Sequence, residues 1–360
     1  MLRIAGPLIG VLCAAGSVAS ACGFHNYTPQ STLVDRLLNS DHIVLARQDP
    51  SDPFQYSPTS ALEGSINDVD IPFLVDSTTR RKLSLQSDHQ VLFARDGMYG
   101  PWQRVAFIDN DLKPVLDAIM THLGAWELGN DLSRFQTFAS LMNHPNTTIR
   151  HLALQELDRA NYGFLSTHPL PIDPNRILRV LNDPTQVDMK PIRVLLLGLS
   201  GDSSVAPVLE RGLARSIPVQ DSLIGAYATA LIETQGQTAV QRLAQIYLAD
   251  PAVPILSKEM IVEAFALHSQ YGDDEMRQAV SDVMQDVLWY APELAAAVAR
   301  QFGARSVWTQ AQLLQNMVKQ GALSSIYDVL AVSRYVALAQ EASSMPGYNS
   351  SPALKTQVTE

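Results

Sequence analysis

Cysteine is almost absent from this sequence, and both cysteines lie near the amino terminus. The 360 residues include only Cys13 and Cys22. Cys13 lies in the apolar run 4–15, which follows Arg3 and precedes the small-residue run 18–21. A basic residue, a short apolar stretch and small residues, in that order, are typical of a secretory signal peptide.

We predict that residues 1–21 are this signal peptide and that the mature, exported chain begins at Cys22. Since Cys13 leaves with the signal, the mature chain has a single thiol and cannot form an internal disulfide. Export predicts a periplasmic or outer-membrane-associated protein in a bacterium and a secreted protein in any other host.

Long apolar runs and clusters of positive charge are also missing. No stretch beyond the signal is apolar for the roughly eighteen residues that a membrane span needs. Removing Arg3 with the signal leaves 25 basic against 36 acidic residues, and no run of five basic residues occurs. Because a nucleic-acid surface needs clustered cations, we predict no nucleic-acid partner.

Familiar catalytic motifs are absent as well. The chain has no G-x-S-x-G elbow, no phosphate-binding G-x-x-x-x-G-K-[ST], no H-E-x-x-H and no C-x-x-C-H. Cys22 and His25 offer a thiolate and an imidazole to a soft metal, but two side chains near a terminus are an incomplete ligand set. We therefore predict a non-enzymatic protein without cofactor or metal. A hydrolase whose motif is not recognised is an alternative, ranked third after the two functions given below.

The stretch Ala19-Ser20-Ala21-Cys22 resembles a bacterial lipobox, in which the cysteine is acylated. The resemblance implies a lipid anchor on Cys22, and therefore membrane contact through that anchor alone. Ala19 departs from the larger aliphatic residue that the family prefers at its position. Ordinary cleavage that leaves a free thiol at Cys22 is the alternative.

Residues 126–342 show a repeating helical pattern. The second helix of each predicted pair carries apolar residues at i, i+3 and i+4, which is the buried stripe of a helix. We call the first apolar residue of each stripe its anchor. The anchors are Ile149, Ile192, Ile224, Ile261 and Leu294, and successive anchors are separated by 43, 32, 37 and 33 residues. A sixth pair is predicted at 308–319 and 327–339.

The segment 143–157, Asn-His-Pro-Asn-Thr-Thr-Ile-Arg-His-Leu-Ala-Leu-Gln-Glu-Leu, resembles the turn and second helix of a HEAT repeat. The resemblance implies an α-α superhelical solenoid that acts as a scaffold or protein-binding module through its groove. A globular helical bundle with accidental spacing is the alternative. The tail 343–360 is rich in Ser, Pro and Gly, and we predict that it is disordered.

Residues 22–125 show a different pattern, with short runs typical of β-strands. Turn residues separate five such runs, and helices are predicted on both sides, at 31–38 and 111–123. The predicted strands are 42–47, 56–62, 71–75, 89–95 and 102–108. Together with the repeats, they predict an α+β, mainly α protein in which a small β-barrel precedes the helical solenoid.

Cys22 followed by the runs 39–47, 61–64 and 91–94 resembles the netrin-like module of tissue metalloproteinase inhibitors, an OB-type barrel. In that family, the amine and carbonyl of the first mature cysteine chelate the zinc of the target protease. The resemblance therefore implies a second candidate function, a secreted metalloprotease inhibitor acting through the amine of Cys22. The family's cysteine is disulfide-bonded, whereas this chain has no partner for it.

Two aromatic loops are the candidate partner-binding segments. Residues of the types that anchor interfaces lie in the predicted hairpin loop 96–102 and in the proline-rich segment 161–174. The candidates are Met98, Tyr99, Trp102, Tyr162, Phe164 and Leu170. The alternative is that these side chains pack into their own domains. We expect the partner to be another exported protein or an envelope component.

Several histidines are expected to be structural. If the barrel is of OB type, its first and fourth strands are antiparallel, which places His42 and His89 at opposite ends. His144 and His151 are seven residues apart and lack a nearby carboxylate at metal-ligand spacing. His268 continues an apolar stripe, and we expect a hydrogen-bonded core or groove histidine.

The mature chain is expected to begin at Cys22. The intact mass of the protein purified from its own host, with the mass of its amino-terminal peptide, checks this. A diacylglyceryl addition on Cys22 would establish the lipid anchor, and an unmodified Cys22 would establish ordinary cleavage. A peptide that begins before Cys22 would contradict both.

Overall fold

The structure, a computed structural model, describes residues 29–67, 69–97 and 99–344. The predicted signal peptide, Cys22, His25 and Met98 lie outside these residues. The described part is mainly helical and contains one four-stranded antiparallel sheet. The α+β, mainly α class is therefore confirmed. The predicted boundary between residues 125 and 126 falls inside a helix, α3 (Leu112–Glu127).

The sheet consists of β1 (His42–Gln48), β2 (Tyr56–Glu63), β3 (Gln90–Arg95) and β4 (Gln103–Ile108), in the order β2-β1-β3-β4. Four of the five predicted strands are confirmed.

The predicted strand at 71–75 is wrong, because this segment contributes only one isolated bridge, between Gln55 and Leu74. Pro72 lies in the middle of it and has no N–H to donate to a ladder. β1 pairs antiparallel with β3, as expected for the first and fourth predicted strands.

Both faces of the central strands are buried. Ile43 and Leu45 of β1 face a core that α1 (Leu33–Leu38), α3 and the first helical hairpin complete. The alternate residues Val44 and Ala46 face a second core, formed with the 71–75 segment and α2 (Ser77–Leu85). Since side chains alternate across a strand, two buried faces explain why the centre of β1 is continuously apolar.

A cluster of charged side chains joins α1 to the first helical hairpin. Arg134 Nη2 lies 2.9 Å from Asp35 Oδ1 and 2.7 Å from Glu156 Oε2. Arg159 Nε lies 3.0 Å from Asp35 Oδ2, and the backbone N–H of Thr32 donates to the same oxygen at 2.9 Å. Burial opposes ionisation of Asp35, but the Thr32 and Arg134 hydrogen bonds and the charge of both arginines hold its pKa below the ordinary value.

The remaining helices follow one another along the chain with short turns. They are α4 (Asp131–Ser140), α5 (Thr147–Arg159), α6 (Tyr162–Thr167), α7 (Pro174–Val180), α8 (Lys190–Leu199), α9 (Ala206–Ser216), α10 (Ile224–Gln235), α11 (Gln237–Leu243), α12 (Ile255–Tyr271), α13 (Asp274–Tyr290), α14 (Ala295–Ala304), α15 (Ala311–Lys319) and α16 (Ile326–Ser344). A π-helical turn, Ala244–Leu248, continues α11. α16 extends two residues into the predicted tail 343–360, and the rest of that tail lies outside the described residues.

The predicted second helices pack in sequence order. α5 contacts α8, and α8, α10, α12, α14 and α16 each contact the next in the series. All five predicted anchors are completely buried, namely Ile149, Ile192, Ile224, Ile261 and Leu294. The sixth predicted pair is present as α15 and α16. The repeated helical pattern therefore identified the buried row of helices correctly.

α10 lies at the centre of this row. It contacts α8, α9, α11 and α12, and all of residues 224–232 are buried. α8 approaches it closely at Gly198, where an added Cβ would lie 2.5 Å from the Cα of Ala230. Such an approach requires a residue without a side chain on one of the two helices.

We expect Gly198→Ala to destabilise the protein by about 1–3 kcal/mol, because the new methyl group overpacks the contact between α8 and α10. Gly124→Ala is the matched control. It is also inside a helix, but its added Cβ has no neighbour within 4 Å, so it is expected to stabilise by about 0.5–1 kcal/mol. Urea unfolding checks both, and equal effects of the two substitutions would contradict the close approach.

Candidate functional site

In the first loop, the structure describes the candidates Tyr99 and Trp102, and these two side chains differ in burial. Tyr99 lies between β3 and β4 and is 94% exposed. Trp102 is buried in the core beside α2, with the Arg95 guanidinium 4.6 Å from its ring centre. For Trp102, packing within its own sheet is therefore confirmed, and only Tyr99 presents a free aromatic surface. Met98 lies outside the described residues.

The second aromatic segment, 161–174, is only partly a loop. Its first half forms α6, because the Asn161 side chain caps the helix by accepting from the Gly163 N–H at 2.7 Å. Tyr162 is buried, and Phe164 and Leu170 are half-buried against the same core. Packing rather than exposure thus accounts for all three partner-binding candidates of this segment.

Tyr162 belongs to a buried polar network that sequence reasoning did not assemble. Its hydroxyl donates to Glu233 Oε1 on α10. Nε2 of His268 on α12 lies 3.1 Å from the same oxygen, and its Nδ1 lies 2.8 Å from the Ala264 carbonyl oxygen. Both ring nitrogens thus lie within hydrogen-bond distance of an acceptor oxygen. The expectation of a hydrogen-bonded His268 is confirmed.

The electrostatics of this network follow from its burial. Desolvation raises the pKa of Tyr162 well above its ordinary value, and the charge of Glu233 adds to the rise. Burial also opposes ionisation of Glu233, but the hydrogen bond and charge of His268 hold its pKa below the ordinary value. The three groups satisfy one another, and their role is to hold α6 against α10 and α12.

The other histidines occupy the places expected of them. His42 pairs in register with Arg95 at one end of the ladder between β1 and β3, and His89 precedes β3 at the other end. His144 accepts a hydrogen bond from the Asn146 N–H in the turn before α5. In residues 29–67, 69–97 and 99–344, no three His, Cys, Asp or Glu side chains are grouped as metal ligands. Within the same residues, no helix combines the length and apolarity of a membrane span.

A cleft of about 290 Å³ lies between α9, α10 and α11. Its apolar lining comes from Leu213, Ala214, Leu231, Ala239, Leu243, Ile246 and Tyr247. At its polar edge, Glu210 Oε1 accepts from Arg242 at 2.7 Å and from Gln235 at 3.1 Å. The Gln235 hydrogen bond, together with Arg242, lowers the pKa of Glu210 below its ordinary value. The cleft therefore offers an apolar wall beside an ordered ion pair.

The π-helical turn shapes one side of this cleft. Val240, Leu243 and Ala244 form a buried stripe, and Leu248 continues it at the end of the π-turn. Ile246 lies off that stripe and is 49% exposed, and Tyr247 is half-buried. π-turns of this kind are frequent at functional sites.

We expect Tyr162→Phe to destabilise the protein by about 1–3 kcal/mol, because buried Glu233 loses a donor. Tyr99→Phe removes the same hydroxyl from a side chain that is 94% exposed and is expected to leave stability unchanged. Urea unfolding of both variants checks the difference. A Tyr162→Phe variant as stable as the parent protein would show that the network contributes nothing to the packing of α6.

Comparisons with known proteins complete the description of the site. The chain matches no protein-family model, no curated protein sequence and no solved structure.

Proposed function

We propose that the protein is an exported, non-enzymatic scaffold that binds another exported protein through its helical-repeat surface. The observation that carries this proposal is the cleft between α9, α10 and α11. Its lining is mostly apolar, and its charged edge is already paired between Glu210 and Arg242. Pockets with an apolar centre and a few fixed polar groups are typical of binding sites.

The occupant proposed for this cleft is an apolar side chain on a segment of the partner. Ile246 and Tyr247 stand at the opening, and Leu213 and Leu243 form deeper walls. Burying an aliphatic side chain there removes apolar surface from water on both molecules, at roughly 25 cal/mol per Å². Because the Glu210 and Arg242 charges satisfy each other, an apolar group leaves neither of them unpaired.

For the fold, we propose a HEAT-like solenoid preceded by an OB-type, netrin-like barrel. The consecutive packing of α8, α10, α12, α14 and α16 supports the solenoid, since each hairpin buries its stripe against its neighbours. For the barrel, support comes from the antiparallel pairing of β1 with β2 and β3. The bridge between Gln55 and Leu74 also places the 71–75 segment beside β2.

The proposed location follows from the signal peptide and Cys22, which lie outside the described residues. Acylation of Cys22 would hold the solenoid at a membrane surface, where a partner in the envelope is within reach. Acylation would also block the amine on which the metalloprotease-inhibitor alternative depends. That alternative therefore stays a prediction that applies to an unmodified Cys22.

A photo-crosslinking amino acid in place of Ile246 tests the cleft directly. We expect it to capture one discrete protein of the exported fraction in the native host. The same probe in place of Leu85 is the matched control, since Leu85 is 70% exposed but lies on α2. With the captured protein purified, Ile246→Arg is expected to weaken binding by at least about tenfold, as expected for a central apolar anchor, and Leu85→Arg to leave it unchanged. Equal crosslinking at both positions, or unchanged binding by Ile246→Arg, would contradict the proposal.

A further inference from the structure

A second groove lies on the other side of α11, between α11 and α13. Two adjoining depressions of about 750 and 460 Å³ form it, and both are lined by Gln241, Gln245 and Asp286. The groove begins beside Gln237 and Glu275, the first residues of its two walls, and ends beside Trp289. The two helices therefore run in the same direction along it.

The two walls differ in the side chains that they expose at helical spacing. α11 and its π-turn contribute exposed amides at Gln237, Gln241 and Gln245, which recur every four residues. The exposed face of α13 contributes Glu275, Gln278, Asp282, Asp286 and Trp289. A ladder of amides thus faces a row of carboxylates that ends in an indole ring.

The carboxylates of this groove lack cationic partners. Arg242 is the one cation lining the groove among the described residues, and it pairs with Glu210 in the neighbouring cleft at 2.7 Å. Among the described residues, Asp282 accepts a hydrogen bond from a neutral donor, the Gln278 amide, at 2.7 Å. No ion pair involves Glu275, Asp282 or Asp286 in the part of the chain that the structure describes. The groove therefore has a negative potential that a cationic partner would neutralise.

The aromatic end of the groove also favours a cationic side chain. Trp289 is 88% exposed and Tyr290 is 49% exposed. Both come directly after Leu288, the last buried residue of α13. Among aromatic side chains, tryptophan attracts a lysine or arginine cation most strongly over its face. Such a side chain can also lay its methylene stem along the ring.

The spacing of the walls indicates the conformation of the bound segment. Four residues of a helix rise about 6 Å, and side chains on one side of an extended chain recur about every 6.7 Å. Asp282 and Asp286 thus match two alternate side chains of an extended peptide. On the opposite wall, the side chains of Gln241 and Gln245 are suited to hydrogen-bond to the main-chain N–H and C=O groups of the peptide, because an amide side chain both donates and accepts. From Glu275 to Trp289 the helix rises about 21 Å, the length of about six extended residues.

We infer that the groove between α11 and α13 binds an extended segment of the partner in which lysine or arginine occupies alternate positions. Two cations contact Asp282 and Asp286, and a third lies over the Trp289 ring. This inference rests on the proposed function, since it describes the partner of the same helical surface. The cleft on the other side of α11 takes an apolar residue of that partner.

A synthetic peptide with lysine and threonine alternating over about eight residues is the probe. We expect it to bind the mature protein at low ionic strength, with an affinity that falls as salt is added. A peptide with glutamate in place of lysine is expected not to bind. A peptide with the same number of lysines placed at every third position is expected to bind at least about fivefold more weakly, because successive cations then lie about 10 Å apart on opposite sides of the extended chain and do not match the i, i+4 spacing of Asp282 and Asp286.

Variants of the groove separate this site from general attraction to an acidic protein. Asp282→Asn together with Asp286→Asn is expected to weaken peptide binding by about tenfold or more, and Trp289→Ala by about fivefold. Trp289→Phe should restore part of the affinity. Asp274→Asn is the control, because this side chain is also on α13 but is 96% exposed and pairs with Arg277. Equal weakening by the control, or no weakening by the groove variants, would overturn the inference.

Three further outcomes are informative. Calcium ions alone that displace the peptide, and lose affinity in the same variants, would overturn the inference in favour of a simple cation site. If the peptide fails to bind while the probe at position 246 still crosslinks a partner, the inference of a basic segment is wrong and the proposed function still stands. Peptide binding with no crosslinking at Ile246 would support the groove and remove the apolar cleft.

Discussion

The burial of α10 on every side is the constraint on which the helical part of the molecule depends. Residues 224–232 are all buried, so this part of the helix has no solvent-facing surface and owes its stability to its neighbours. α8 and α12 flank it, and α9 and α11 cover it. Because the covering helices bury only one stripe each, their other faces remain exposed. The cleft lies between α9 and α11, and the groove lies between α11 and α13, so both border α11 and are consequences of the same packing.

The sequence predicted the helical repeats well because burial there depends on a regular period. Each anchor, such as Ile149 or Leu294, belongs to a stripe of apolar residues at positions i, i+3 and i+4 that packs against the next helix. Prediction failed where a local feature interrupts the period. Pro72 prevents a strand at 71–75, and the Asn161 cap starts a helix in a proline-rich segment.

The aromatic residues show why residue type alone was a poor guide to the candidate site. Trp102 and Tyr162 are both buried, one against an arginine and the other in a polar network. Trp289 was overlooked, yet its position carries a usable signal. The buried stripe of α13 is Val280, Met284, Val287 and Leu288. Trp289 lies one residue beyond that stripe and is therefore exposed, as its phase in the helix predicts.

Networks of buried polar groups hold distant segments together in a mature chain predicted to lack disulfides. The Asp35, Arg134 and Glu156 cluster fixes α1 and the sheet to the first hairpin, and the Glu233 network fixes α6 to the central row. Charge pairs of this kind add little net stability but favour one arrangement, since any other would leave buried charges unpaired. α11 packs on α10, which the Glu233 network joins to α6 and α12, and a surface supported in this way loses little conformational freedom when a partner binds. We therefore expect the helices around α11 to act as a preformed platform for the partner.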